Sequence, residues 1–394
     1  MKRSNFPAWV YYLFLLNSLE HYLTSLKIAF IPLVPRFFYP EKTYLEGLLI
    51  LFTIYPIGIM AKPLGGLFFQ LVEKRAKLVT LLRISYFGTG FFSIVLGIIP
   101  LMFPDYFTST LIICRFFKSF FSASEVIGVS VLLKQNLDQN LSLKATNLIG
   151  TSSMLGIWSS FVLSSIVHLF DLGKVGFALA HLVGCFLLLN AYMLPPLPSL
   201  MAKDEKTNNQ SGIFDFCFIL LFAGFSAFCY SCAFIVVPTC FTDKIFYPIN
   251  GMMITLDLFL VWYFGKKAIR WGTHRTLFFA LLIGLVSPLL IYQTNSIVLM
   301  GFFVLLGTLF SAPLYSYLLE NISLKTRVSF LSWGYLIGSQ VFGTLTPIAS
   351  FWIEKWCGMG TSIFWTTSFF CLVLLFFMAR REQQQKTQLG VEVS

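Results

Sequence analysis

Two apolar stretches of the sequence carry polar and ionisable residues at helical spacing. Asn17, Glu20, Thr24 and Lys27 are separated by three, four and three positions, and Arg115, Lys118, Ser122 and Glu125 repeat those intervals. Each set therefore falls on one face of a helix. Lys27, Arg115 and Lys118 outnumber Glu20 and Glu125, an excess of cation that suits a ligand bearing a carboxylate. Burial favours a protonated carboxyl and a neighbouring cation favours an ionised one, so an acid placed between the two can take up and release a proton. Glu20, Glu125 and Asp257, which stands alone in a later apolar run, are the candidate proton carriers. Asn17, Lys27, Arg115 and Lys118 are the candidate solute ligands, joined in the second half by Tyr230, Tyr335 and Gln340. The alternative for such groups is structural: ion pairs that hold helices together, or long side chains that reach the headgroups. Lys62 and Arg83, read as lying near the ends of their runs, are assigned to the headgroups.

The elements that must carry these stripes follow from composition. Of 394 residues, 57% are apolar and only 11% charged, against roughly 25% charged in soluble proteins. A soluble enzyme is excluded. A helix needs about 20 mostly apolar residues to cross a bilayer, so the apolar content suffices for about eleven or twelve spans. Apolar segments fall at 9–34, 45–70, 78–103, 108–133, 145–170 and 175–194, then at 213–240, 247–267, 276–293, 296–320, 328–353 and 360–379. They are too long for the strands of a membrane barrel, so the fold class is all-α, twelve transmembrane helices in two bundles of six. The domains are 1–198 and 213–379, with a linker at 199–212 and a tail at 380–394. The start, Met1-Lys2-Arg3 and an apolar run, imitates a signal peptide, but Glu20 and Lys27 interrupt it; it reads as a retained first span.

The formal charge of +11 sits in short clusters between apolar runs rather than on one face, which points to topology and not to nucleic acid. With the N-terminus in the cytoplasm, 18 of the 28 Lys and Arg lie on that side, 5 outside and 5 within spans. The positive-inside rule then places both ends in the cytoplasm. Glu73-Lys74-Arg75-Ala76-Lys77 joins spans two and three, and Ile269-Arg270-Trp271-Gly272-Thr273 joins spans eight and nine, a weak repeat of the kind seen in two-bundle transporters. No metal spacing, phosphate-binding loop or catalytic triad stands out, so neither a metal, a cofactor nor an enzymatic activity is expected. Cys229 and Cys232 read as packing within a span, and His21, His168 and His181 as packing or interfacial residues.

Lys62-Pro63-Leu64-Gly65-Gly66-Leu67-Phe68-Phe69 resembles the R-P-L-G-G-L-F-F block of the metabolite:proton symporter branch of the major facilitator superfamily, which includes proline/betaine transporters. Glu73 to Lys77 stands where that superfamily has D-R-x-G-R. Asn17-Ser18-Leu19-Glu20-His21-Tyr22 is similar to N-A-L-E-W-F, and Leu111 to Phe120 to L-L-I-C-R-x-x-Q-G-F, with Glu125 at the acid of the following G-G-E-Y. Tyr335, Phe342-Gly343 and Pro347 keep the spacing of Y-N-x(5)-F-G-G-x-x-P, and Glu320 and Arg327 that of E-L-F-P-x-x-x-R. There are departures: Leu23, Lys118, Ala123-Ser124, Leu336 and Ile269 replace the family's acid, glutamine, glycine pair, asparagine and aspartate.

The resemblance implies alternating access, in which two bundles rock about a central site and Glu73, Lys74, Lys77, Arg270, Gly272 and Arg275 form gating loops. The expected function is import of a small carboxylate-bearing or zwitterionic solute, proline, betaine or an organic acid such as 2-oxoglutarate, by proton symport. The setting expected is the inner membrane, with solute, protons and lipid as partners and the chain working as a monomer. An exchanger or exporter, a non-transporting sensor and a membrane-embedded enzyme are the rival readings. The lack of Gly-x-x-x-Gly-Pro in Gly150 to Ser160 argues against a drug exporter.

Overall fold

The computed structural model describes residues 6–194, 213–237, 243–290, 296–321, 331–357 and 359–388, apart from Tyr55 and 74–76. Every described span is helical, and no strand occurs among the described residues. In lipid a helix satisfies its own backbone groups, which is why uninterrupted apolar runs of this length adopt it. The first half contains α1 (Ala8–Ala29), α2 (Val34–Phe38), α3 (Tyr44–Ile54), α4 (Ile57–Glu73), α5 (Leu78–Met102), α6 (Phe107–Phe121), α7 (Glu125–Asn136), α8 (Gln139–Leu169), α9 (Gly173–Leu182) and α10 (Gly184–Met193). The second contains α11 (Ile213–Ser231), α12 (Asp243–Trp271), α13 (Thr273–Leu285), α14 (Ser296–Asn321), α15 (Leu336–Cys357) and α16 (Met359–Gln388). Six of these helical stretches are individually long and apolar enough to cross a membrane. The other predicted spans are built from broken or charged helices.

The breaks have local causes. Span two divides into α3 and α4 beside Pro56, which has no backbone donor to offer the helix. Span four divides at Ser122–Ser124, a 3-10 turn between α6 and α7. There the Ser122 hydroxyl bonds back to the Ser119 carbonyl at 3.2 Å and competes with the helical ladder. The face predicted to run unbroken from Arg115 to Glu125 therefore ends at Ser122. Span seven passes from α11 into a π-helical turn at Cys232–Val236, and span eleven opens with another at Leu331–Tyr335. Such turns widen the helix locally and recur at functional sites.

Two hydrophobic clusters make up most of the described core. One gathers Val10, Leu23, Phe30, Tyr86, Phe107 and Phe177 of the first half; the other gathers Phe218, Phe222, Phe225, Phe303, Phe310 and Phe364 of the second. A smaller one joins Phe69, Leu81 and Ala123 to Leu336 across the halves. Gly65 of the Leu-Gly-Gly block lies so close to α6 that a Cβ there would collide with the Phe120 carbonyl oxygen. The block is thus a helix-packing device.

The helix ends at Ala8, Glu73, Leu194, Ile213 and Trp271 lie at one end of the bundle, here called the base; the other end is the mouth. The base is laced by polar contacts. Arg83 donates to the Leu194 carbonyl, and Arg381 pairs with Asp215 at 2.7 Å and donates to the Asn321 carbonyl. Thr273 donates to Glu320 at 2.8 Å. Arg83 therefore caps the end of span six at the base. Gly272, in the turn before α13, has φ +89, a left-handed conformation that favours glycine.

Candidate functional site

Beyond the base, the halves enclose a cavity with two lobes. The first, about 280 Å³, lies inside the first half among α1, α3, α4, α6 and α9; Thr24, Lys118, Ser119, Ser122 and His181 supply its polar surface, and Phe30, Phe107 and Phe177 its apolar one. The second, about 360 Å³, lies between the halves. Its far wall consists of Tyr230, Ser231, Phe234, Tyr315, Tyr335, Ser339 and Gln340. His21, Ser25, Lys27, Ile28, Lys62 and Arg115 border both lobes, so three cations stand at the waist between them.

The spans of the first half deliver those cations from three directions. Lys27 lies in the last turn of α1 and is exposed to the cavity. Arg115 and Lys118 lie one helical turn apart on α6. The Lys118 ammonium donates to the Leu23 carbonyl at 3.0 Å and to the Ser93 hydroxyl at 3.4 Å, contacts that fix it deep in the first lobe. Lys62 is placed here and not at the headgroups. It precedes the end of α4 at Glu73 by eleven positions, about 16 Å along a helix and half the depth of a bilayer, too deep for the headgroup assignment made from sequence. Gly58, one turn before Lys62, leaves room for three other groups. A Cβ there would lie 3.1 Å from the Ser119 hydroxyl, 3.5 Å from the Arg115 guanidinium and 3.7 Å from the Gln340 amide oxygen. Arg115 and Gln340 thus approach one another across the halves over a residue with no side chain.

The wall of the second half is aromatic and hydroxylic. The Tyr230 hydroxyl shares a hydrogen bond with Ser311 at 2.9 Å and reaches the Asp257 carboxylate at 3.5 Å; Thr308 also donates to that carboxylate. Tyr315 and Tyr335 share a hydrogen bond of 2.5 Å. Tyr230 immediately precedes the last residue of α11 before its π turn, and Tyr335 closes the π turn ahead of α15, so both tyrosines sit where the helix geometry changes.

Of the residues singled out from sequence, Lys27, Arg115, Lys118, Tyr230, Tyr335 and Gln340 line the cavity together. Asp257 stands behind Tyr230. Asn17 is placed away from the cavity lining: it is fully buried, and its amide donates to Ser152 and Ser153 of α8 at 2.7 and 2.9 Å. Glu20 is also fully buried behind the wall, where neither carboxylate oxygen has a hydrogen-bond partner and Lys62 and Lys118 are the cations that act on it. Tyr86 and Thr89 of α5 have buried hydroxyls that are likewise without partners. Glu125 opens α7, and its side chain lies outside the described residues, as does that of Glu73; Lys74 lies outside them altogether. Lys77 precedes α5, and Arg270 and Arg275 are exposed at the base.

Sequence reasoning missed Lys62 and Gly58 as cavity residues, and with them His21 and His181. The imidazole of His21 bonds the Asn17 carbonyl at 3.0 Å and that of His181 the Phe177 carbonyl at 2.9 Å. The distance of Lys62 from Glu73 was the signal available for it. Polar groups also join the halves at the base. Lys134 donates to the Leu319 carbonyl at 2.7 Å, Ser316 donates to the Asn147 side-chain oxygen at 2.6 Å, and Thr146 and Ser316 share a hydrogen bond of 2.8 Å. Spans four and five are thereby tied to span ten.

No known family model matches the chain, and no curated protein matches it in sequence. Solved structures do match in shape. The proton:xylose symporter XylE, of the major facilitator superfamily, aligns over 95% of this chain and 96% of its own, with a TM-score of 0.75 and 11% identity. FucP in its outward conformation, the fucose:proton symporter of E. coli, aligns over 95% and 98%, with a TM-score of 0.70 and 15% identity. The human organic anion transporter MFSD10 aligns over 95% and 100%, with a TM-score of 0.71 and 14% identity.

Proposed function

With the all-α major facilitator fold as premise, we propose that this protein is a secondary transporter that carries a small carboxylate-bearing solute through the membrane together with protons. The observation that carries the reading is the waist of the cavity, where Lys27, Lys62 and Arg115 converge between the lobes and face Tyr230, Tyr335 and Gln340. Cations at membrane depth usually face a cavity and mark ion or substrate pathways, and cations that line a cavity attract an anionic solute. The tyrosines and Gln340 hold its body and complete the site from the other half.

Glu20 and Asp257 are the proton carriers in this reading. Each is fully buried behind one wall: Glu20 under the influence of Lys62 and Lys118, Asp257 bonded to Tyr230. A solute entering the cavity changes the charge balance around Lys62 and the hydrogen bonding of Tyr230, and so reaches both acids without touching them. Alternating access in this account breaks the contacts of Lys134, Asn147 and Ser316 at the base. The bundles 1–198 and 213–379 rock past one another, with Lys77, Arg270, Gly272 and Arg275 at the cytoplasmic face, where the excess of Lys and Arg supports placing the base.

Uptake of radiolabelled proline, betaine and 2-oxoglutarate into proteoliposomes tests the proposal. Accumulation of one solute under an inward proton gradient, abolished by a protonophore, is the expected result. Counterflow indifferent to the gradient marks an exchanger instead.

A further inference from the structure

We propose that the outer face of α12 binds an anionic phospholipid, with Lys266, Lys267 and Arg270 on its phosphate and Met252, Leu256 and Phe259 along its acyl chains. Met252, Leu256, Phe259, Tyr263, Lys266 and Arg270 follow one another at intervals of four, three, four, three and four, so they fall on one face of the helix. All six are exposed, and none of them lines either lobe of the cavity. Ile254, Asp257, Val261, Gly265 and Ala268 are buried on the other side, where Gly265 sits against Asn147 of α8. The stripe changes character along its length. Met252 and Trp262 are ten positions apart, about 15 Å along a helix and half the hydrocarbon thickness of a bilayer, which is the depth of one leaflet. Aromatic rings follow, and then the cations at the base.

The cations here are held in place without being neutralised. Lys266 Nζ lies 3.6 Å from the centroid of the Trp262 ring, and Lys267 Nζ lies 5.4 and 5.3 Å from those of Tyr263 and Trp271. A ring face fixes an ammonium and leaves N–H donors for an anion. Other cations at the base have a protein acceptor: Arg83 has the Leu194 carbonyl, Arg381 has Asp215 and Lys134 has the Leu319 carbonyl. Among the described residues no group accepts a hydrogen bond from Lys266, Lys267, Arg270 or Arg275. Between Asp257 and Glu320 the chain carries these four and no acid. Asp257 is itself buried behind Tyr230, and Glu320 accepts from Thr273. A basic cluster at the end of a membrane helix attracts anionic headgroups, and aromatic rings beside it suit the headgroup level. The apolar stripe runs directly into the cluster, so a phosphate joined to acyl chains uses both parts, whereas a free phosphate would use only one.

Quenching of tryptophan fluorescence by phospholipids with brominated acyl chains tests this in vesicles containing the full-length protein. Brominated phosphatidylglycerol diluted in plain phosphatidylcholine is compared with brominated phosphatidylcholine at the same fraction. The expected result is stronger quenching by phosphatidylglycerol, an excess that disappears when Trp262→Phe and Trp271→Phe remove the reporters. With the reporters kept, Lys266→Gln should lower the preference for phosphatidylglycerol about fivefold. Lys266→Gln with Lys267→Gln should lower it further, and Lys266→Arg with Lys267→Arg should keep it. Inorganic phosphate at fixed ionic strength should leave the excess in place; its loss would mark a site for the free anion and overturn the lipid. Equal quenching by the two lipids in the wild type overturns the proposal without any variant. So does an excess that survives removal of Trp262 and Trp271, or one unchanged by Lys266→Gln with Lys267→Gln in protein that melts cooperatively. None of these outcomes bears on the transport reading, because the stripe lies outside both lobes.

Discussion

The two walls of the cavity are made of different chemistry. The first half supplies Lys27, Lys62, Arg115 and Lys118; the second supplies Tyr230, Tyr315, Tyr335, Ser339 and Gln340 and no cation among its described lining residues. The deep acids differ as well. Asp257 has two hydroxyl donors, whereas both oxygens of Glu20 lack a hydrogen-bond partner. The difference teaches a division of labour: charge is recognised by one half, and the shape and hydroxyl groups of the solute by the other. A solute that must touch both walls is then a bridge whose presence depends on how the halves sit.

Neutralising the cationic wall breaks this comparison most severely. Removing one partner from a buried charge pair costs about 3–5 kcal/mol, so Arg115→Gln or Lys62→Gln should lower binding of an anionic solute by about two to four orders of magnitude in equilibrium titration. Glu20→Gln is expected to leave counterflow in place and abolish accumulation under a proton gradient, both read from the same vesicles. Asp257→Asn should resemble it if the second acid also carries protons, and should lower counterflow as well if it acts only to hold Tyr230.

Smaller effects are expected on the aromatic wall and in the supporting contacts. Tyr335→Phe removes one hydroxyl and the bond to Tyr315, a loss of about 1 kcal/mol, or roughly fivefold in affinity, with no change in preference between anions of different charge. Ser316→Ala unties Asn147 and Thr146 at the base. It should raise the labelling rate of a cysteine introduced on the base side of the cavity severalfold and leave solute preference unchanged. Asn17→Ala removes a contact between α1 and α8 that, by the measured range for polar contacts in membranes, is worth about 0.6 to 1.7 kcal/mol. It should lower the melting temperature while affinity stays near wild type.

Much of the fold was legible because membrane helices announce themselves: apolar length and charged breaks marked the spans before any packing was known. The site was legible where periodicity held. Lys27 follows Glu20 by seven positions on one unbroken helix, and Arg115 and Lys118 fall within α6. It was hidden where local geometry intervened. The Ser122–Ser124 turn ends α6 ahead of Glu125, an effect of serine hydroxyls on the ladder that spacing alone does not reveal. Asn17 shares the stripe of Lys27, yet it faces Ser152 and Ser153, since a stripe lists neighbours on one helix and not the partner that packs against each. Lys62 was misread because the run's end was placed too near it, and only the eleven residues to Glu73 show its depth.

The most direct test of the central claim compares proton-driven uptake of 2-oxoglutarate by the wild type and by a Lys27→Gln, Lys62→Gln, Arg115→Gln variant, in vesicles matched for folded protein. The account predicts accumulation that collapses with a protonophore in the wild type and none in the variant. Equal accumulation by both, or wild-type accumulation indifferent to the proton gradient, would contradict it.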